Sequence, residues 1–566
     1  MNKSSPQFVA VLVAIPFFLV AFVEFDKLDE LQSNIKKEYY KEHLNNSSRI
    51  FNIENEISPS QKKVDILHYD LFFDLYPEKK EFKASATLTG KVKVKGLKEI
   101  DINFYDNFDI SEVILNGAKY QYINENNMLK VFSDLPVDTF SLKIDYSGTP
   151  ERAGFAGFVF GKISDNSLVY TLSEPYYASS WFPCNDFPSD KALLDIRIRN
   201  DSSQVSVSNG SLINIDTEEN KKTYHWKTIY PISTYLIAIY SSAFKHFGDK
   251  YISLDETDTM TIDYYVLPRD LENAKKDFVQ HPDMIRFFAE TFGEYPFIRE
   301  KYGIAEFLWQ LGAMEHQTIT GVASNMISGK NFYFDIYIHE LAHQWWGDAV
   351  GPKSWKDIWL NEGFASYCEA LFYEFRSGKS ALKSTMLSKK RSNFNDILGE
   401  PGSFLFTSTV YNKGAWVLHM LRWELGEDLF FNSLRKYYEK YKYSNASTED
   451  FKKVCEDVSG KDLTKFFDQW VYGKGIIKLQ FDWTSSKNNN EFETLIDIEQ
   501  VQSEYDEYNF PLEIGFKYED QQSEYHRVNI NSTSSEYNFK SKRKPVKVML
   551  DPNDWLLMTS ERVVDD

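Results

Sequence analysis

The stretch YIHELAHQWWGDAVGP, residues 337–352, holds His339, Glu340 and His343. At i and i+4, His339 and His343 share one face of a helix, where both imidazoles reach a single metal ion. Tyr337, Ile338, Leu341, Ala342 and Trp345 surround them, and Phe332, Ile336 and Trp346 continue the histidine stripe. A helix apolar nearly all round is a buried one. Two buried imidazoles without partners cost ~1–3 kcal/mol each. One zinc ion supplies a partner to both; the competing reading is a pair of structural histidines satisfied by the core.

The next segment favours the metal. GDAVGPK breaks the helix and SWKDIWLNEGFASYCEALFYEF starts another, with Ser354 and Asp357 placed as a capping box. Trp355, Ile358, Trp359 and Glu362 fall at i, i+3, i+4 and i+7, so Glu362 projects from the apolar face. Eighteen residues separate it from His343. A carboxylate aimed at a core needs a cation. His339, His343 and Glu362 then make three ligands for one zinc per chain, with the fourth position open for water, which is the catalytic arrangement. Glu340 lies beside the same face and is not needed as a ligand. It is expected to act as general base, taking the proton of the attacking water and passing it to the leaving amine.

The elements that must position these groups follow from the pattern of the chain. At 566 residues it is too long for one hydrophobic core, which predicts several domains. An α+β multidomain layout is expected. Period-two stretches such as VDILHYDLFFDLYP and ASATLTGKVKVKG predict an N-terminal β domain over residues 61–250. Helical periodicity dominates residues 251–475, where the histidines lie. Short alternating strands return over 476–566 and read as a C-terminal β-sandwich. No internal repeat of fixed period is present.

Residues 8–23 form an apolar run after Lys3, interrupted only by Pro16 and followed by Glu24 and Asp26. Residues 1–25 therefore read as a signal or membrane anchor, slightly favouring an uncleaved anchor, with the catalytic body on the extracytoplasmic side. Residues 26–60 read as a polar linker or stalk. A net charge of -19 argues against a nucleic-acid partner. Cys184, Cys368 and Cys455 are too few for a disulfide framework and read as buried thiols. With no CxxC pair, a thiolate zinc site is not expected.

HExxH followed by NEGFA resembles the gluzincin zinc peptidases, and GAMEH at residues 312–316 narrows this to the aminopeptidase N family, which includes leukotriene hydrolase. SEPYYASSWFPCNDFPSDKA at 173–192, YPFIREKYGIAEF at 295–307 and VYNKGAWVLHML at 410–421 also resemble it, so the likeness covers roughly residues 61–560. It implies a saddle- or sandwich-like N-terminal β-sheet domain, a thermolysin-like, mainly helical zinc domain and the C-terminal sandwich. The large helical fourth domain of many relatives is expected to be absent, leaving a more open cleft.

The resemblance also implies roles. Glu315 would bind a substrate's free α-amino group, helped by Glu174, and Tyr411 would stabilise the oxyanion. Gly312, Ala313 and Met314 belong to the motif that lines the substrate strand. Without the resemblance Glu315 reads as a solvated loop carboxylate, and Tyr411 as ordinary packing. Three positions depart from the family pattern: His316 replaces an Asn, Leu172 replaces a polar residue, and ASSW lacks an arginine. The expected activity is zinc-dependent removal of N-terminal residues from peptides. An endopeptidase or epoxide hydrolase on the same core, or an inactive binding module, are the alternatives.

Overall fold

The computed structural model describes residues 57–136, 138–163, 166–401, 405–505 and 507–563. The expected anchor at 1–25 and most of the 26–60 linker lie outside the described residues. Contacts divide the chain into residues 1–48 and 49–566, and everything below concerns the second unit. Among the described residues, no helix is long and apolar enough to cross a membrane.

Alternation builds the first sheet. In the strand Val64–Tyr76, Val64 and Ile66 are buried, and then Tyr69, Leu71, Phe73 and Leu75. The parity changes because the register against Glu81–Val92 shifts between Ile66 and His68. This bulge turns Leu67 outward, 40% exposed, and returns the apolar side chains to the core. Val64–Tyr76 also pairs in parallel with Leu193–Asp201, near the middle of an eight-stranded sheet. A five-stranded sheet follows, in which Asn166–Leu172 lies between Ala156–Ile163 and Tyr240–Ser242. Asn166–Leu172 matters for the site because Glu174 comes two residues after its end.

A second five-stranded sheet starts with Lys245–Ile252 and Thr259–Val266, then runs through Tyr302–Phe307 and Thr320–Ala323 to Ala313–Met314 at its edge. The expected domain limit at residue 250 therefore cuts a strand that pairs along its length with Thr259–Val266. Tyr240–Ser242 belongs to the first five-stranded sheet and Lys245–Ile252 to the second, and alternation reads alike in both.

Four helices carry or support the site: α1 (His281–Phe292) and α2 (Phe334–His343) contact this sheet, α3 (Trp359–Ser377) packs on α2, and α4 (Gly414–Leu425) packs on α3. The helix α2 is buried as expected at Tyr337, Ile338, Leu341 and Ala342, but its apolar stripe is shorter than the sequence implies. Phe332 precedes the helix and is 54% exposed. Trp345 and Trp346 follow it in a buried turn, where Gly347 at φ +132° brings the backbone close to His343 and Asn361.

The capping box expected at Ser354 is also absent. A 3-10 turn, Trp355–Asp357, precedes α3, and the Ser354 side chain makes no cap bond. Asp357 instead accepts bonds from the Thr448 amide (2.8 Å) and hydroxyl (3.0 Å). A capping box forms at Ser447 and Asp450. Ser354 does meet Asp357, its hydroxyl donating to Oδ2 at 3.1 Å, but that is not the capping bond from the Asp357 amide.

Residues after 476 form a four-stranded and a three-stranded sheet. Phe516 of one meets Phe539 of the other at 5.1 Å between ring centroids. Cys184, Cys368 and Cys455 are free and buried.

The helices α3 and α4 touch at Gly363 and Gly414. A Cβ at Gly363 would lie 2.8 Å from the Gly414 Cα, and the reverse substitution gives 2.7 Å. Both obstacles are backbone, so neither can swing away. Gly363→Ala is expected to destabilise the body by ~1–3 kcal/mol and to displace the adjacent Glu362. A lower unfolding temperature together with weaker zinc retention supports this; an unchanged protein refutes it.

Candidate active site

The helix α2 carries His339, Glu340 and His343, and the first turn of α3 carries Glu362. Donor atoms of His339, His343 and Glu362 lie within 4.8 Å of one another. Glu362 Oε2 is 3.1 Å from His339 Nε2 and 3.4 Å from His343 Nε2. The other ring nitrogens are already engaged. His339 Nδ1 is 2.8 Å from Glu369 Oε1, and His343 Nδ1 is 3.0 Å from the Trp346 carbonyl. Donation from both Nδ1 atoms leaves both Nε2 lone pairs facing Glu362, as a metal ligand set requires.

Glu174 and Glu315 are brought to the same place. Glu174, Glu315 and Glu362 offer carboxylate oxygens within 4.8 Å of one another, and the three are only 6%, 4% and 3% exposed. One oxygen each of Glu174, Glu315 and Glu340 is buried without a hydrogen-bond partner. Tyr411 lies in a π-helical turn, Thr409–Lys413, that leads into α4, and its ring stacks on His339 at 5.9 Å. Gly312 precedes the edge strand Ala313–Met314, which pairs with Thr320–Ala323 on one side only.

Electrostatics report a shortage of positive charge. Burial raises the Glu174 carboxyl well above its ordinary value, and Glu315 and Glu362 add to the rise. Burial also raises Glu315, against the opposing pull of His343. Glu340 is pushed up to about 7 by burial, with Glu315 and Glu362 contributing. For Glu362, burial opposes ionisation, yet His343 and His339 outweigh it and hold the group below the ordinary carboxylate range. Burial likewise opposes charge on His343, and Glu315 and Glu362 overcome it, raising its pKa. Carboxylates driven toward neutrality and imidazoles driven to keep protons both call for a cation. A divalent ion between His339, His343 and Glu362 answers that need, and two imidazoles with one carboxylate suit zinc. His316 is outside this group: it is buried against Tyr240, Nδ1 to hydroxyl 2.5 Å, and burial lowers its pKa to about 3.

Sequence-family comparison agrees with the geometry. The Peptidase M1 N-terminal domain matches residues 66–236 and the Peptidase family M1 domain matches residues 278–470, together more than half of the chain. The chain belongs to the M1 peptidase family. A probable aminopeptidase of Sulfurisphaera tokodaii is 27% identical over 436 residues, 73% of this chain and 53% of that protein. Aminopeptidase N of Lactococcus lactis is 26% identical over 443 residues, 72% of this chain and 51% of the relative. The chain thus spans about half the length of these curated relatives. Among solved structures, the M1 zinc metallopeptidase of Deinococcus radiodurans superposes with a TM-score of 0.65 at 25% identity, covering 73% of this chain and 95% of that one.

Sequence reasoning missed part of this M1 site. Glu369 orients His339 and is itself bound by Lys389 Nζ at 2.6 Å. A signal existed, because Glu369 is seven residues after Glu362 on the same helical face. Trp346, read as packing only, supplies the carbonyl that orients His343; a backbone role leaves no mark on residue type. Removing the outer partner of a metal-bound histidine typically costs ~10–100-fold in metal affinity. Glu369→Ala is expected to lose zinc to a competing chelator by that factor. Unchanged zinc affinity would show that His339 is oriented without it.

Proposed function

We propose that the chain is a zinc-dependent aminopeptidase acting on peptides with a free N-terminus. The observation that carries this is the convergence of Glu174 and Glu315 beside the metal ligands, each with a buried oxygen that no protein group satisfies. A peptide α-amino group has a pKa of about 8 and is largely ammonium at neutral pH. It fits the charge deficit that remains once the metal is held. Anchoring that ammonium places the first peptide bond over the metal ligands and leaves no room for residues before it.

His339, His343 and Glu362 would hold the zinc, which would supply a Lewis acid and lower the pKa of a water to about 7. Glu340 accepts the proton of the attacking water and returns it to the departing amine. Tyr411 donates its hydroxyl to the oxyanion that develops on the scissile carbonyl. The backbone of Gly312 and Ala313 holds the substrate as an added strand on the free edge of the sheet, and Met314 packs behind it. The accompanying domain reading is a β domain from 61 to about 243, a catalytic body to 475 and a C-terminal β-sandwich beyond.

A panel of aminoacyl fluorogenic amides, with and without chelator, tests this reading. Chelator is expected to abolish turnover, and N-acetylation of the substrate is expected to abolish cleavage. Efficient cleavage of a blocked peptide would instead make the enzyme an endopeptidase. Glu340→Gln is expected to keep its zinc and lose ~10²–10⁴ in kcat. Full activity in that variant refutes the general-base role.

A further inference from the structure

Residues 315–319 join the edge strand Ala313–Met314 to Thr320–Ala323, and this short loop carries Glu315. Among the described residues Glu315 Oε1 meets no hydrogen-bonding group, and the carboxyl leans on its own backbone amide, so the loop backbone sets where that oxygen stands. The backbone is held from three directions. Gln344, the residue after His343, is fully buried. Its Oε1 accepts from the Thr318 amide at 2.9 Å and from the Tyr295 hydroxyl at 3.2 Å, and its Nε2 donates to the Glu315 carbonyl at 3.2 Å. Two donors on one side and a carbonyl on the other determine the amide's orientation. From the β region, the Gly210 amide donates to Thr318 Oγ1 at 2.8 Å. Lys301 Nζ donates to the Thr318 carbonyl at 3.1 Å.

Thr318 itself sits at φ +65°. A β-branched residue in the left-handed region is strained and persists only where its surroundings over-determine it. The bonds from Gln344, Gly210 and Lys301 do so here.

We propose that Gln344 is a positioning residue that ties the Glu315 loop to the metal-binding helix. It fixes the separation between the amine anchor and the metal ligands. The proposal rests on the aminopeptidase reading, in which one amino-acid unit must span anchor and metal. Such a constellation tolerates only about 0.5 Å of error. Gln344 touches neither the substrate nor the metal ligands' donor atoms; it acts through Glu315.

The test measures kcat, KM and zinc content in the zinc-loaded full chain, with aminoacyl amides as substrates. Gln344→Met keeps the volume and removes the bonds. It is expected to raise KM roughly tenfold, to change kcat by less than about threefold and to retain one zinc. In a Glu315→Gln background the same change is expected to add less than about twofold, because the residue it positions has already lost its charge. Thr318→Gly keeps the amide that Gln344 binds but loosens the strained turn. It is expected to raise KM by roughly threefold, and it decides the question should Gln344→Met fail to fold. Unchanged KM in these variants overturns the proposal. So does zinc loss in step with activity, or a full tenfold effect surviving in the Glu315→Gln background. Wild-type enzyme that cleaves free and N-acetylated peptides alike overturns the aminopeptidase reading. Wild-type selectivity with an unmoved Gln344→Met overturns the clamp alone.

Discussion

Glu174, Glu315, Glu340 and Glu362 share one buried region, and their mutual repulsion governs the design of the catalytic body. Two carboxylates about 5 Å apart repel by roughly 3–4 kcal/mol at an effective dielectric near 20. Among the described residues, no lysine or arginine pairs with them to cancel this. The imidazoles of His339 and His343 take up part of it, which is why their protonation and the Glu362 charge are so strongly linked. What remains must be met from outside by positive charge, and an apolar or neutral ligand would leave it standing.

A repulsive cluster holds together only if each member is fixed by separate covalent scaffolding. The four glutamates come from four places: just after the strand Asn166–Leu172, the loop at 315, α2 and α3. Glycine permits the tightest of these approaches. Gly363 and Gly414 bring α3 and α4 into backbone contact. That contact sets Glu362 and the Tyr411 turn, each within three residues of it, at a fixed spacing. Hydrogen bonds donated to Glu369 and the Trp346 carbonyl then lock the imidazoles, so that the metal ligands need not reorganise on binding.

The parts legible in the sequence were those where residue type and period speak together. His339, His343 and Glu362 were readable because helical spacing put polar groups on apolar faces, a conflict only a ligand resolves. Strands such as Val64–Tyr76 were readable from alternation even across a bulge. Glu174, Glu315 and Tyr411 had no local signature and were selected by family resemblance alone, because what gathers them is tertiary. The failures share a cause. Asp357 looked like half of a capping box but divides its carboxylate between the Ser354 hydroxyl and Thr448, 91 residues away. The limit at 250 fell inside a strand because two sheets adjoin there. The Gln344 side chain meets a loop distant in sequence, and Trp346 uses its backbone carbonyl; a one-dimensional pattern is blind to both.

The junction between the β region and the catalytic body deserves the same reasoning, because Glu174 and Glu315 stand on opposite sides of it. Asn209 Nδ2 donates to the Gln317 carbonyl at 2.6 Å, Lys301 Nζ to the Ser208 carbonyl at 3.0 Å, and Tyr240 meets His316. Every one of these groups is buried. Hinge opening would strip partners from buried polar atoms, each at a cost of ~1–3 kcal/mol, and would expose Lys301 from beneath the Trp226 ring. A pair of carboxylates that converges from both sides cannot be held across a loose hinge. The junction is therefore built as a core, and His316, where the family pattern has an Asn, is part of that core: its ring spans to Tyr240 and helps join the regions that carry Glu174 and Glu315.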